Sequence, residues 1–408
     1  MYLRRIIQSV PCKPSPLPAK ILPTADLVEE EHTPHYKPQH FYPVRLYEIL
    51  NNRYQIAAKI GWGTSSTVWL ARDLHQPSIK VNANNYESQE FAEKELHITR
   101  HITKANTQHP GRNFVATLLD SFRVASPGGT HICLVFDALC EPLWMLKRRF
   151  EGNTIPLDVL KPVSKLILEG LQYLHTECHI IHTDFKSDNI LLALRNPSIL
   201  ESVAQDEMNN PSPRKQLDGR DIYLSQNYWG LLPNELGRSV ITDFGLAVRG
   251  DGPPNSHYIQ PEGYRAPEVC LGADWSYSVD VWNLGVMLWD LFYGRGPLDT
   301  PPDSCDSGLS DEAHLGKIIS LLGPPPPDLL SRGKETSRYF DTTGQFKFPE
   351  LIRKKGLVSM AKEIDDDDGM PQFIDFISRM LRWRPEDRTT AQDLLSHPWL
   401  PQMKPANE

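Results

Sequence analysis

The chain has 408 residues, 40% hydrophobic and 23% charged, with 43 Lys and Arg against 51 Asp and Glu for a net charge of -8. This composition is ordinary for a globular protein with one large core or two lobes, and the negative balance argues against a nucleic-acid binder while permitting basic protein partners. Six cysteines, at positions 12, 133, 140, 178, 270 and 305, show neither CxxC nor metal-ligand spacing and read as free thiols in a reducing compartment; the longest apolar run, around Val281 to Gly294, contains Asn283 and Asp290 and is too short and too polar to span a membrane.

Residues 1–40 form a Pro-rich extension that is expected to be disordered. Its first 25 residues hold Arg4, Arg5, Lys13 and Lys20 with no acid before Asp26, a charge pattern that resembles a mitochondrial presequence. Serine is sparse there and Pro11, Pro14, Pro16 and Pro18 follow closely, which favours a disordered basic tail over targeting. From Phe41 the chain enters a first strand, and Ile60 to Leu70 then reads IGWGTSSTVWL. Gly61 and Gly63 let backbone N–H groups approach phosphate oxygens with no Cβ in the way. Taken alone, the string fits a β-hairpin turn as well, but Val68 and Leu70 alternate with polar neighbours as a strand does. Ser78 to Val81 reads as the next strand and carries Lys80, with only six residues between it and Asp73, although Pro77 sits where the strand should begin. Ser88 to Ile102 places Phe91, Leu96 and Ile98 at roughly helical spacing, with Glu87 and Glu90 facing solvent and Glu95, or its rival Glu93, left as the candidate partner of a lysine. His131 to Phe136 alternates as another strand.

The most informative stretch is Ile180 to Leu192, IIHTDFKSDNILL. An Asp at 184 can accept or orient a substrate hydroxyl, a Lys two residues on can reach the same phosphoryl group, and an Asn five residues on can coordinate Mg2+. Apolar residues on both sides suit a short polar loop held between buried segments. Over fifty residues then separate Asn189 from Asp243, and their composition, QDEMNNPSPRKQLDGRD from Gln205, predicts a surface loop or disordered excursion over 193–238. Asp243-Phe244-Gly245 follows the apolar Val240-Ile241, so an acid at a strand end can bind Mg2+ while Gly245 lets the backbone turn. Further on come Ala266-Pro267-Glu268, the apolar helical run VDVWNLGVMLWDLFYG with Asp280, DEAHLGKIISLLG from Asp311, and RPEDRTTAQDLLSHPWL with Arg388. The acidic run Asp365 to Asp368 reads as a solvated loop in preference to a site for Arg-rich substrates.

These motifs, in this order, resemble those of eukaryotic protein kinases, with His182-Thr183-Asp184 where most members carry HRD. The resemblance implies an α+β bilobal fold: a small antiparallel-β lobe with one main helix over 41–139, a larger mainly helical lobe over 140–400 that includes the 193–238 insertion, and a tail over 401–408. It implies ATP and Mg2+ as cofactors. Catalytic roles fall to Asp184, Lys186, Lys80 and Glu95, with Lys80 on the α and β phosphates and Glu95 as its partner. Metal falls to Asn189 and Asp243. ATP falls to Ile60, Gly61, Trp62, Gly63, Ser66, Val68, Ser78, Lys80, Phe136, Asp137, Leu139 and Leu191, with Phe136 as gatekeeper and residues 137–139 as the hinge. Glu268 and Arg388 are implied to form a buried ion pair, and Asp280 to tie down the catalytic-loop backbone.

GWGxxSTVWL, the HTD loop, HICLVF, DEAHLGKIISLLG and the long insertion together look most like the SR-protein kinase family of the CMGC group, in a fungal-type form, over roughly residues 40 to 400. That resemblance implies transfer of the ATP γ-phosphate to Ser in Arg/Ser-rich or other basic proteins, with no nucleic-acid or membrane partner, by a monomer of the cytoplasm and nucleus. A dual-specificity relative of the splicing-factor kinases is the nearest competitor within the class. Thr183 cannot pair with a phosphate, and only Ser256 and Tyr258 precede the Tyr264 region as acceptors, so activation-loop phosphorylation is expected to be unnecessary. Ser66 in the third glycine position, Ser78 for the usual Ala, and Glu262 where relatives carry a basic residue depart from the pattern. Ser66 and the short interval before Lys80 motivate the alternative: a pseudokinase or scaffold without turnover.

Overall fold

A computed structural model describes residues 11–34, 36–73, 78–82, 86–196, 198–226, 229, 236–298, 310–353 and 370–401. Along the chain its main elements are strands β1 (Ile49–Leu50), β2 (Tyr54–Gly63), β3 (Ser66–Asp73) and β4 (Ser78–Asn82), helix α1 (Tyr86–Lys104), and strands β5 (Asp120–Ser126) and β6 (Gly129–Phe136). Helix α2 (Leu157–Thr176), strands β7 (Ile180–Ile181) and β8 (Ile190–Leu194), helix α3 (Ile199–Asn209), and strands β9 (Arg214–Leu217), β10 (Arg220–Tyr223), β11 (Leu236–Ile241) and β12 (Val248–Arg249) follow. Helices α4 (Ser278–Tyr293), α5 (Asp311–Leu322) and α6 (Met370–Ser378) complete the list. The chain divides into two compact units: Met1–Lys104 with Ala116–Glu141 and Leu192–Arg238, and Ala105–Val115 with Pro142–Leu191 and Ser239–Glu408.

The first unit is built on an antiparallel sheet of order β1-β2-β3-β4-β6-β5. β2 and β3 form a hairpin with Gly63 opposite Ser66 and Gly61 opposite Val68, and register shifts on either side of Ala58 and Lys59 bend it. Despite the short interval before it, β4 pairs with β3, Val68 facing Lys80, and with β6, Lys80 facing Leu134. The residues of that interval, Pro77 among them, lie outside the described ones. Helix α1 buries Ala92, Glu95, Leu96, Thr99 and Ile102, spaced as one helical stripe, and packs Ala92 and Leu96 against Ile132, Leu134 and Phe136. Phe91, expected on that stripe, is 49% exposed.

Two expectations about chain organisation are corrected in this unit. Residues 11–34 lie against the small sheet, and the described residues of the insertion belong with that sheet, not with the helical part of the chain. The physical reason is burial of charge at long range. Lys59 on β2 is 1% exposed; its ammonium pairs with Glu30, lies 3.8 Å from Glu29, and donates to the Tyr223 carbonyl of β10 at 3.0 Å. Lys215 on β9 is 2% exposed and donates to both Glu31 oxygens, at 2.9 and 3.0 Å, and to the Asp26 carbonyl at 2.9 Å. Between them, the Gln226 N–H donates to the Lys59 carbonyl, and the Gln226 side chain to Glu207 of α3. Apolar packing reinforces the same assembly, since Val203 of α3 joins Ala58 and Leu70 in one cluster and Tyr223 joins Tyr54, Ile56 and Trp69 in another. The short helix Glu29–His32 thus buries Glu30 and Glu31, and all three of its carboxylates are answered, Glu29 by the Ser225 N–H and hydroxyl.

The second unit is mainly helical. In α4 all residues from Val279 to Trp289 are buried, and the helix stops at Gly294, whose φ of 76° is left-handed and whose N–H closes on the Asp290 carbonyl. Helix α2 packs on the turn Pro110–Phe114, where Gly111 runs so close that a Cβ would stand 2.2 Å from the Glu169 carbonyl oxygen. Strands β7 and β12 pair antiparallel, Ile181 opposite Val248, and so frame the loop that leaves Ile181. Of the described cysteines, Cys12, Cys133, Cys140, Cys178 and Cys270 are free thiols. No helix among the described residues is long and apolar enough to cross a membrane.

Candidate active site

The loop from His182 to Asn189 hangs from one carboxylate. Asp280, in the first turn of α4 and fully buried, accepts the His182 N–H on Oδ2 at 2.8 Å and the Thr183 N–H on Oδ1 at 2.9 Å. His175 Nε2 reaches the same Oδ2 at 2.9 Å. The His182 ring accepts the Asp184 N–H at Nδ1, which leaves the proton on Nε2 to donate to the Thr242 carbonyl at 2.9 Å. His182 also stands edge-on to Phe185 and Phe244, both buried. Thr183 has a left-handed φ of 66° and its hydroxyl donates to the Leu246 carbonyl at 2.9 Å. A strained residue this well bonded marks a place where the surroundings dictate backbone shape.

That scaffold brings three polar side chains together. Lys186 Nζ is 3.0 Å from Asp184 Oδ2, and Asn189 Nδ2 donates to the same oxygen at 2.9 Å and to the Asp184 carbonyl at 2.8 Å. The Asn189 backbone carbonyl accepts the N–H and hydroxyl of Thr242, so the segment leading into Asp243 is hydrogen-bonded to the loop. Asp243 is exposed and has a φ of 60°, with Oδ1 3.4 Å from the Gly245 N–H. With both Asn189 amide protons on Asp184, its amide oxygen and the Asp243 carboxylate are hard oxygen donors of the kind Mg2+ takes. Among the described residues no group of three His, Cys, Asp or Glu side chains is gathered for a metal. An amide oxygen and a carboxylate completed by phosphate and water is therefore the set these residues suit.

Beyond Asp243 the chain is pinned at intervals. Gln260, at a φ of 70°, donates to the Val279 carbonyl and to Asn283 Oδ1 and accepts the Ala266 N–H. Glu262 is exposed. Glu268 meets Arg388 through two parallel bonds of 2.6 and 2.5 Å, with both side chains at 0% exposure, and Arg388 also donates to the Ser278 and Arg382 carbonyls. A fork of this geometry satisfies two charges that water cannot reach.

The remaining site residues, Leu191 excepted, belong to the sheet unit. A Cβ at Gly61 would meet nothing nearer than Val68 Cβ at 3.8 Å, and one at Gly63 nothing nearer than Ser66 Oγ at 3.7 Å. Packing within the chain therefore does not demand glycine at either position, and the open backbone suits a ligand's phosphates. Ser66 is buried at the start of β3, Trp62 is 40% exposed at the hairpin tip, and Ile60 and Val68 are half-buried. Glu95 is buried on α1, whereas Glu93 is exposed and paired with Arg123, which separates the two rivals. The backbones of Ser78 and Lys80 are described; their side chains, and hence a Lys80–Glu95 contact, lie outside the described residues. Phe136 and Leu139 are half-buried, Asp137 is exposed, and Leu191 is half-buried on β8. Sequence reasoning did not assign roles to His175, Gln260 and Asp311; DEAHLGKIISLLG was visible as a motif, but nothing local says what its acid bonds.

Comparison with known proteins agrees. The protein kinase domain family matches residues 54–204 and 230–400. A serine/threonine protein kinase of Aspergillus fumigatus is 34% identical over 98% of this chain and 98% of its own. The serine/threonine-protein kinase SRPK of Physarum polycephalum is 33% identical over 92% of each chain, and SRSF protein kinase 3 of Mus musculus 26% identical over 96% and 94%. A solved kinase domain, 23% identical, superposes with a TM-score of 0.67 over 89% of this chain and 99% of that one, a likeness of fold. The chain therefore belongs to the protein kinase family, as an SR-protein-kinase-like serine/threonine protein kinase that uses ATP.

Proposed function

We propose that the enzyme transfers the γ-phosphate of ATP, bound with Mg2+, to serine in Arg/Ser-rich or other basic protein segments, and that it does so without phosphorylation of its own activation segment. The observation that carries an active enzyme over a scaffold is the Asp184 carboxylate bonded at once to Lys186 and Asn189 on a loop hung from Asp280. Asp184 orients the attacking hydroxyl; Lys186 and Lys80 serve phosphates, with Glu95 the partner of Lys80; Asn189 and Asp243 serve the metal; Gly61 and Gly63 give phosphates access to backbone N–H groups. The names of two relatives, SRPK and SRSF protein kinase 3, and the net charge of -8 support a basic, Arg/Ser-rich substrate. Glu262, exposed, suits a basic residue beside the target serine. Independence from a phosphate switch is supported by Thr183, whose hydroxyl bonds the Leu246 carbonyl directly from the position where other kinases carry a phosphate-gripping Arg.

Radiolabelled ATP with an Arg/Ser-repeat peptide and a generic basic protein tests this. Phosphatase-treated enzyme should label the Arg/Ser peptide preferentially, and Asp184→Asn should lower kcat by about 10^2 to 10^4. Label on neither substrate would favour a scaffold, label on the basic protein alone would reject the Arg/Ser substrate, and loss of most activity on phosphatase treatment would reject switch independence.

A further inference from the structure

Asp311 opens α5 and receives three donors from distant parts of the chain. The Tyr258 hydroxyl donates to Oδ1 at 2.7 Å, Arg265 Nη1 to the same oxygen at 3.2 Å, and the Tyr339 hydroxyl to Oδ2 at 3.3 Å. The Arg265 guanidinium also lies 3.9 Å from the centre of the Tyr258 ring and donates to the Ile259 and Gln260 carbonyls. The Arg265 side chain is 6% exposed, so its charge needs a carboxylate close by, and Asp311 is the one placed there. The Tyr258 ring itself is 58% exposed. Burial of the ring does not hold it; the hydroxyl bond and the stacked guanidinium do. Partial burial and the Asp311 bond push the Tyr258 hydroxyl pKa up, which keeps it a donor.

The carboxylate is itself well fixed. It sits in the first turn of a helix, where the aligned peptide dipoles favour an anion, and Ser310 caps that helix by accepting the Ala313 N–H at 3.2 Å. One turn on, His314 Nε2 donates to the Arg265 carbonyl at 2.7 Å. The segment is thus gripped at Arg265 through both its side chain and its backbone.

We propose that Asp311 is a positioning residue: a built-in anion that holds Tyr258 and Arg265, and with them the chain between, in the shape that accepts a protein substrate, where other kinases recruit an added phosphate. The proposal rests on the reading of this enzyme as active without such a phosphate, and it assigns that property a specific carboxylate.

Asp311→Asn keeps the side-chain shape and removes the charge. Its KM for peptide should rise about tenfold while its KM for ATP stays within about twofold. Amide hydrogen exchange over residues 256–266 should quicken by about tenfold, with helix α2 unchanged. Tyr258→Phe removes one donor and leaves the charge pair, so the same changes should appear at about twofold. Unchanged exchange over 256–266 in Asp311→Asn overturns the proposal, as does a parallel rise of both KM values with a lowered melting temperature, the mark of a merely structural residue. Should the unsubstituted enzyme phosphorylate no peptide, the reading beneath fails separately, and the exchange comparison alone decides whether Asp311 holds the segment.

Discussion

The unit of the catalytic loop and the unit of the glycine hairpin each hold buried charges whose partners are distant in sequence, and the two sets differ in how the chain encodes them. Asp280, Glu268 and Arg388 lie in short motifs, each an ionisable residue embedded in an apolar helix or beside a proline turn, and they bond loop backbone and one another. Lys59 and Lys215 of the sheet unit are answered by Glu30 and Glu31, which lie in a Pro-rich extension with no apolar periodicity. In the first set a charge stands out against its own surroundings. In the second, neither partner looks unusual until the other is beside it, and only the fold makes them interior.

Breaking one pair in each unit tests that contrast. Glu268→Ala leaves Arg388 fully buried with no carboxylate and should lower stability by about 3–5 kcal/mol. Glu30→Ala leaves Lys59 with the Tyr223 carbonyl and with Glu29 at 3.8 Å, so a smaller loss of about 2 kcal/mol is expected. Urea denaturation of both variants gives the ranking. Equal losses would mean that the extension is as integral to the fold as the motif pair, and no loss at Glu30 would mean that it merely lies against the sheet.

The same contrast explains what could be read in advance. Asp184, Lys186 and Asn189 could be singled out together because the phosphoryl transfer proposed for them calls for residue types at fixed short spacings, and the structure brings the three side chains into contact. Helix α4 was legible from a mainly apolar run broken by Asn283 and Asp290, and the strand of Lys80 from its resemblance to the VAIK strand of kinases despite Pro77. Residues 11–34 and 193–238 were not, because low hydrophobicity and many prolines are also what a charged interior segment shows when its partners lie elsewhere, here 29 residues away for Glu30 and 184 for Glu31. Phe91 was misplaced for a related reason: spacing alone cannot say which edge of a helical stripe meets the sheet. Asp311 carried a recognisable motif, yet its three donors come from 53, 46 and 28 residues away.

Acid should expose a further difference in the unit that carries Asp184. Burial pushes the His314 pKa down to about 4 from an ordinary 6.5, so the folded protein holds this ring neutral while the unfolded chain protonates it. Stability from this group is fully present above pH 6.5 and falls as pH drops towards 4, because the unfolded state binds the extra proton. Its share of the loss between pH 7 and pH 5 should be about 2 kcal/mol. Denaturation midpoints at the two pH values, compared with His314→Gln, measure it; a variant with the same pH slope as the parent would remove His314 from the account.

The smallest effect on stability should be the most telling about function, because it separates a glycine the fold needs from one it does not. At Gly111 a Cβ would stand 2.2 Å from the Glu169 carbonyl and 2.8 Å from Tyr173 Cβ, so Gly111→Ala should cost about 1–3 kcal/mol with ATP affinity little changed in the protein that remains folded. At Gly61 the nearest atom is 3.8 Å away and φ is not left-handed, so Gly61→Ala meets no obstacle within the chain. Loss of glycine's freedom in the unfolded state should leave stability equal or higher by about 0.5 kcal/mol. The added methyl would instead stand where backbone N–H groups approach a phosphate, and the KM for ATP should rise about tenfold. Thermal melts and ATP titrations of both variants decide the matter. If Gly61→Ala loses stability and keeps its KM, this glycine is held by packing like Gly111, and the hairpin loses the observation that best ties it to nucleotide.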